Sequence, residues 1–414
     1  MKILWFTNTA AGYNSNSNEY NGGGWIASLE KEIKKVSNIQ LAVSFFYQDE
    51  PFKVEQENVT YYPISIDRGI LNRLKRKFSK REQESFHVSA FKSVIDDFKP
   101  DVIHVFGSEL SFGLIARYTD IPTIIHLQGI LIPYLNAFVP PFYSEWDMFR
   151  SNGINPLKIL SNYKQLKGWK TSVEREKRIF AGCKYFMGRT EWDKRISKIY
   201  SPKSQYFYCS EMLRESFFDA KPWQVKTNRD KIVIVTTISS PLYKGADMLL
   251  KTAQIIKKEL KLNFEWLVYG ITDMNFASYK TGIHPDAVSV YPKGIASSKE
   301  ITEALINCDV FVHPSYIDNS PNSVCEAQLL GVPVIACNVG GVSTLIEHLT
   351  SGVLVPANDP YMAASYIKEI VNDKALASKI GNSAQILALK RHNKKEIIND
   401  LSGIYKTILG LHKF

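Results

Sequence analysis

The chain has 414 residues, 45% of them apolar and 12% aromatic, an ordinary globular composition with material for two or three domains. A net charge of +10 and a pI near 9.1 point to an anionic partner, whether nucleotide, phospholipid surface, nucleic acid or charged glycan, and do not choose among them. The five cysteines, at 183, 209, 308, 325 and 337, are scattered and have no CxxC or Cys/His spacing that would hold zinc, so a reduced cytoplasm is expected.

The first predicted element is a strand over 2–6, directly at the start, so no secretory leader is expected. No apolar run approaches the roughly 18 residues that a membrane span needs. An asparagine- and serine-rich loop follows at 14–21, and Gly22-Gly23-Gly24 then opens a helix with Trp25, Ile26, Leu29, Ile33 and Val36 at helical spacing. Three glycines there allow either a close backbone approach to a ligand or a hinge, with equal weight. Strands are predicted at 40–46 and 59–66. Arg68 to Arg81 then carries seven basic residues with Ile70, Leu71, Leu74 and Phe78 at helical spacing. That pattern is an interfacial helix on anionic lipid, through Arg73, Lys75, Arg76 and Lys77, or equally a solvated surface helix. Nothing resembling a nucleic-acid recognition motif accompanies it.

Strands at 102–106 and 122–127 end in or near His104 and His126; a strand-end histidine is more often a satisfied core residue than a catalytic one, and of the two the glycine-containing turn that follows favours His126 as functional. The apolar, proline-broken stretch from Ile130 to Tyr143 either holds a lipid-linked acceptor or covers the core. The polar residues 219–231 interrupt the α/β alternation before Ile232-Val-Ile-Val-Thr236 restarts it. Domains are therefore expected at 1–222 and 223–393, with the helical tail 394–414 crossing back to the first. Further strands are predicted at 231–236, 264–269, 288–291, 309–313, 333–336 and 353–355. Lys244 follows the first strand of the second half, where it serves either as a cation for phosphate or as a solvated lysine before a helix.

Asp318-Asn319-Ser320-Pro321-Asn322-Ser323-Val324-Cys325-Glu326-Ala327 carries the most information. Ser320 is expected as a helix N-cap and Pro321 as the first helical residue, which leaves the Asn322 and Ser323 amides aimed outward as an anion site. Glu326, four residues past Asn322, shares that face and suits a pair of ribose hydroxyls. Asn338-Val339-Gly340-Gly341-Val342 is a second close backbone approach or a tight turn.

Together these segments resemble the retaining glycosyltransferases of family 4. Asp318 to Glu326 is similar to that family's two-acid motif, and Gly340-Gly341, Gly352-Val-Leu-Val-Pro356 and Asp359-Pro360 follow in its order. The resemblance implies a GT-B fold, two doubly wound Rossmann-like domains facing each other across a cleft. It implies transfer of a sugar from a nucleotide-diphosphate donor to a glycan or polyprenyl-linked acceptor in bacterial surface polysaccharide synthesis, in the cytoplasm or on the inner membrane face, with no metal or other cofactor. Glu326 would bind ribose, the amides near Asn322 and Ser323 the diphosphate, and Lys244 would neutralise it. Asp318 would face the sugar, while His126 and Gly22 to Gly24 would line the reaction centre. Asp318 stands where the family usually has glutamate, and Ser239 and Ile238 stand where it generally has an arginine, for which Arg189 is a candidate substitute. A donor-binding scaffold subunit and a nucleotide-sugar epimerase are the competing expectations.

Overall fold

The computed structural model describes residues 1–13, 23–65, 80–151, 153–227, 230–239 and 241–412. The chain forms two compact units. The first comprises Met1–Ile132, Thr171–Met212 and His392–Phe414; the second comprises Pro133–Lys170 and Leu213–Arg391. The polar stretch 219–231 thus lies inside the second unit, which also draws in Pro133–Lys170 from the middle of the first.

The first unit holds strands β1 (Lys2–Thr7), β2 (Gln40–Tyr47), β3 (Val54–Gln56), β4 (Val59–Ser65), β5 (Val102–Phe106), β6 (Thr123–His126), β7 (Tyr185–Gly188) and β8 (Gln205–Tyr208). They form one sheet in the order β3-β4-β2-β1-β5-β6-β7-β8, parallel except for the β3–β4 pair. Helices cover both faces of such a sheet, so its strands are near-continuous apolar runs and alternate side chains feed two cores. Ile3 and Trp5 pack with Trp25, Ile26, Leu29 and Ile33 of the helix Gly23–Ile33 and with Leu401 and Tyr405 of the helix Lys394–His412. Leu4 and Phe6 point the other way, into Phe91, Ile95 and Phe98 of the helix Lys80–Phe98.

The second unit holds β9 (Ile232–Thr237), β10 (Phe264–Tyr269), β11 (Val290–Gly294), β12 (Val310–His313), β13 (Val334–Cys337) and β14 (Val353–Val355), all parallel, in the order β11-β10-β9-β12-β13-β14. Each strand expected from the sequence is present. Strands β3, β7 and β8 were not expected. All five cysteines are free and buried. Among the described residues no helix is long and apolar enough to cross a membrane.

Candidate functional site

In the second unit β9 and β12 are neighbours, yet the chain leaves β9 towards β10 on one side and β12 towards β13 on the other. A crevice opens beyond the carboxyl ends of the strands at such a switch point, and doubly wound sheets bind ligands there. The loop after β9 ends in a tight turn, Leu242–Lys244, closed by Gly245 at φ +79. The loop after β12 carries Pro314 to Pro321. The two loops lie against each other: the Tyr316 N–H donates to the Tyr243 carbonyl at 2.7 Å, and a Cβ on Gly245 would sit 2.1 Å from the Pro314 oxygen. Only glycine serves at Gly245, because both its φ and this contact exclude a side chain.

That contact brings Lys244 to Asp318. Lys244 Nζ lies 2.7 Å from Asp318 Oδ2, and His313 Nε2, from the last residue of β12, reaches the same oxygen at 3.1 Å. A carboxylate only accepts, so the imidazole proton sits on Nε2. On the other oxygen, Tyr134 donates its hydroxyl to Oδ1 at 3.0 Å while accepting the Asn319 N–H at 3.0 Å. Burial alone would raise the Asp318 carboxyl, but the Lys244 charge and His313 overcome it and hold Asp318 well below the usual carboxylate range. The Tyr134 hydroxyl is pushed up by burial and by the Asp318 charge, so it remains a proton donor. Gly340, at φ +53, fixes the same loop from behind. A Cβ there would lie 1.8 Å from the Asp318 carbonyl oxygen, which accepts the Gly341 N–H at 3.0 Å. The close approach made by Asn338–Val342 is thus to the protein's own backbone.

The helix that follows runs from Asn322 to Leu330. Pro321, not Ser320, is its N-cap, with extended backbone and no side-chain cap, so the expected capping by Ser320 is corrected by one residue. Proline at ψ 120 ends the extended loop, and the helical hydrogen bonds begin with the Val324 and Cys325 amides on the Pro321 carbonyl. The amides of Asn322 and Ser323 therefore precede the helix's own ladder, as first-turn donors do. Ser320 is buried beside them. Glu326 is also buried and accepts from Arg214 Nε at 3.0 Å and Nη2 at 2.8 Å, both on Oε1. Sequence reasoning missed Tyr134, His313 and Arg214. His313, closing a strand five residues before Asp318, carried a positional signal. Tyr134 and Arg214 come from 184 and 112 residues away and carried none.

The other expected residues lie in the first unit or outside the described residues. His126 closes β6, buried among Trp25, His104 and Phe106, with ring centroids 5.3, 5.4 and 5.8 Å away. Among the described residues neither ring nitrogen has a hydrogen-bond partner, and burial, aided by Arg189, drops its pKa to about 3. It is a neutral imidazole. His104 instead meets the Tyr405 hydroxyl at 2.6 Å as a core residue. Arg189 is buried and paired with Glu211 at 3.2 Å, inside the first unit. Gly23 and Gly24 begin the helix Gly23–Ile33, whereas Gly22 lies outside the described residues, as do Arg73, Lys75, Arg76 and Lys77.

Residues 217–386, all within the second unit, match the family model described as Glycosyl transferases group 1. A capsular polysaccharide biosynthesis glycosyltransferase of Staphylococcus aureus is 31% identical over 103 residues, 25% of this chain and 27% of that protein. The matching part spans about a third or less of the length of this and the next curated relatives. Two solved structures share the fold over nearly the whole chain. Sucrose-phosphate synthase from Thermosynechococcus elongatus has a TM-score of 0.73 at 16% identity, covering 99% of both chains. The Anabaena protein HepE, solved in complex with UDP-glucose, has a TM-score of 0.63 at 14% identity, covering 98% of this chain and 100% of its own. The fold is therefore GT-B.

Proposed function

We propose that this chain is a retaining glycosyltransferase, moving a sugar from a nucleoside-diphosphate sugar to a hydroxyl of a glycan or lipid-linked saccharide on the cytoplasmic side of a bacterial membrane, in surface polysaccharide synthesis. One observation carries the reading: a lysine and an acid meet at 2.7 Å at the switch point of the second unit, beside a helix start two residues beyond Ser320. The group 1 match over that region and the UDP-glucose complex of a protein sharing the fold support it.

In this reading the Asn322 and Ser323 amides and Lys244 take the diphosphate, Ser320 borders it, and Glu326, oriented by Arg214, takes the ribose. Asp318 faces the sugar hydroxyls, and Lys244 is shared between it and the phosphate. As the bond from the anomeric carbon to the β-phosphate oxygen breaks, both electrons stay on that oxygen. Lys244 and the amides stabilise the charge that grows there. The acceptor oxygen forms the new bond on the same face, and its proton passes to a phosphate oxygen. None of these roles calls for a metal ion, so transfer should persist in EDTA.

A thermal-shift screen with UDP, GDP and ADP sugars identifies the donor, since a ligand of the folded state raises its melting temperature. Transfer is then followed with a saccharide acceptor, and the anomeric configuration of the product is read by NMR. Lys244→Ala should lower kcat by roughly 100- to 1,000-fold, the range for losing one donor to developing charge. Unchanged kcat would remove Lys244 from the mechanism. An inverted product would refute retention.

A further inference from the structure

The segment Pro133–Lys170 belongs to the second unit, where Tyr134 at its start reaches Asp318. Further along, the short helix Glu145–Arg150 packs on the first turns of the helix Pro156–Gly182. Asn162 Nδ2 donates to the Phe149 carbonyl at 2.9 Å, and the rings of Trp146, Phe149 and Tyr163 follow one another at 6.4 and 5.8 Å. On the long helix Asn162 and Leu166 are buried, with Ile159 and Trp169 half-buried at the same helical spacing, which sets the inward face. Leu157, Leu160, Lys164 and Lys167 fall on the opposite face and are exposed.

Here the protein leaves large apolar side chains in water: Trp146 is 56% exposed, Ile154 73%, Leu157 76%, Leu160 47% and Tyr163 50%. Scattered singly these would need no explanation, but they crowd one short stretch. The acids at its near end, Glu145 and Asp147, face lysines, with Asp147 3.1 Å from Lys280, and beyond them the charge is of one sign. Between Asp147 and Glu174 there is no acidic residue, while Arg150, Lys158, Lys164, Lys167 and Lys170 all fall there. Of these, Lys170 meets Glu145 at 3.5 Å. Exposed aliphatic side chains, a tryptophan and a tyrosine with one polar end each, and long lysines behind them suit an anionic membrane interface, where apolar groups enter the acyl boundary and ammonium groups reach the headgroups.

We propose that this face, Trp146 to Lys167, docks on an anionic lipid bilayer, with Ile154, Leu157 and Leu160 inserted and Lys158, Lys164 and Lys167 on the headgroups. These residues are other than those of the Arg68–Arg81 run, and the proposal holds whether or not the chain transfers sugars.

The test is co-sedimentation of the full-length protein with phosphatidylcholine vesicles containing or lacking phosphatidylglycerol. Binding should require the anionic lipid, and Leu157→Glu/Leu160→Glu should weaken it by at least about tenfold, from the area removed. Both positions are exposed, and an unchanged melting temperature confirms that the variant is folded. Neutralising Arg73, Lys75, Arg76 and Lys77 should leave the effect of the leucine pair in place. A second measurement uses Leu157→Cys bearing an environment-sensitive dye, selective because the native cysteines are all buried. Its emission should shift to the blue on anionic vesicles. Three results would each overturn the proposal: no vesicle binding by the wild type, equal binding by the leucine variant, or a dye that stays in water. Lipid-free self-association that the leucine variant abolishes, without vesicle binding, would assign the face to a second copy of the chain instead.

Discussion

His126 shows at one side chain how burial sets chemistry. Its imidazole lies among aromatic rings with a pKa lowered from 6.5 to about 3, so it does not take up a proton at neutral pH. A depressed histidine pKa means that the unfolded chain binds the extra proton, so its contribution to stability is lost as pH falls below 6.5 and continues to be lost down to about 3. Between pH 7 and pH 5 this amounts to about 2 kcal/mol. His126→Phe should remove that slope, seen as a smaller fall in the urea midpoint from pH 7 to pH 5 than in the wild type. Equal falls would mean that the histidine has access to water or to a partner. Gly340 makes a second residue-scale case, since Gly340→Ala has no room beside the Asp318 carbonyl and no easy backbone at φ +53. Strain of this kind costs about 1–3 kcal/mol. Because the displaced atoms belong to the Asp318 loop, donor affinity should fall by more than the melting temperature alone explains, a difference that calorimetric titration with the donor would reveal.

Arg214 and Glu326 join the segment after β8 to the helix Asn322–Leu330. Removing one partner of a largely buried ion pair costs about 3–5 kcal/mol, while replacing both can be nearly neutral. Arg214→Ala should therefore melt well below the wild type, and Arg214→Ala/Glu326→Gln should recover most of the loss. Single and double variants of equal stability would show that the pair orients Glu326 without holding the helix. The same pair marks where sequence reading stops. Asp318 to Glu326 was legible because its signals are local: a proline, a helix pattern and two acids at fixed spacing. The β1, β5, β9 and β12 strands were legible because a sheet covered on both faces needs unbroken apolar runs. Only two residues separate β7 from the helix Pro156–Gly182, and β8 is a partly exposed edge strand, so neither stands out as an isolated apolar run. Arg214 and Tyr134 enter the site only through tertiary packing, and no local pattern distinguishes them from any other surface-type residue. The one-residue error at Ser320 has a simpler cause, because proline suits both a first helical position and the extended residue before it.

At the scale of the whole molecule, the chain changes unit at 132/133, 170/171, 212/213 and 391/392, so the first unit is not complete until the last helix has been made. That helix is tied in by Tyr405, whose hydroxyl accepts from Trp5 Nε1 at 3.0 Å and meets His104 Nδ1 at 2.6 Å, with Ile397, Leu401, Ile404 and Ile408 in the same core. Pairing the two ends of the sequence, the Trp5–Tyr405 contact spans 400 residues and carries a high loop-closure cost during folding. The residues assigned to the donor, Lys244, Asp318, Asn322 and Glu326, belong wholly to the second unit. Tyr405→Ala should therefore separate stability from donor recognition. Truncating a large buried aromatic costs about 3–5 kcal/mol, and refolding should slow or lose yield. The nucleotide-induced rise in melting temperature should nevertheless persist in the transition of the second unit. Differential scanning calorimetry with and without UDP reads both. If Tyr405→Ala removed the nucleotide effect along with the stability of the first unit, donor affinity would depend on residues of both units, and assigning it to the loops after β9 and β12 alone would fail.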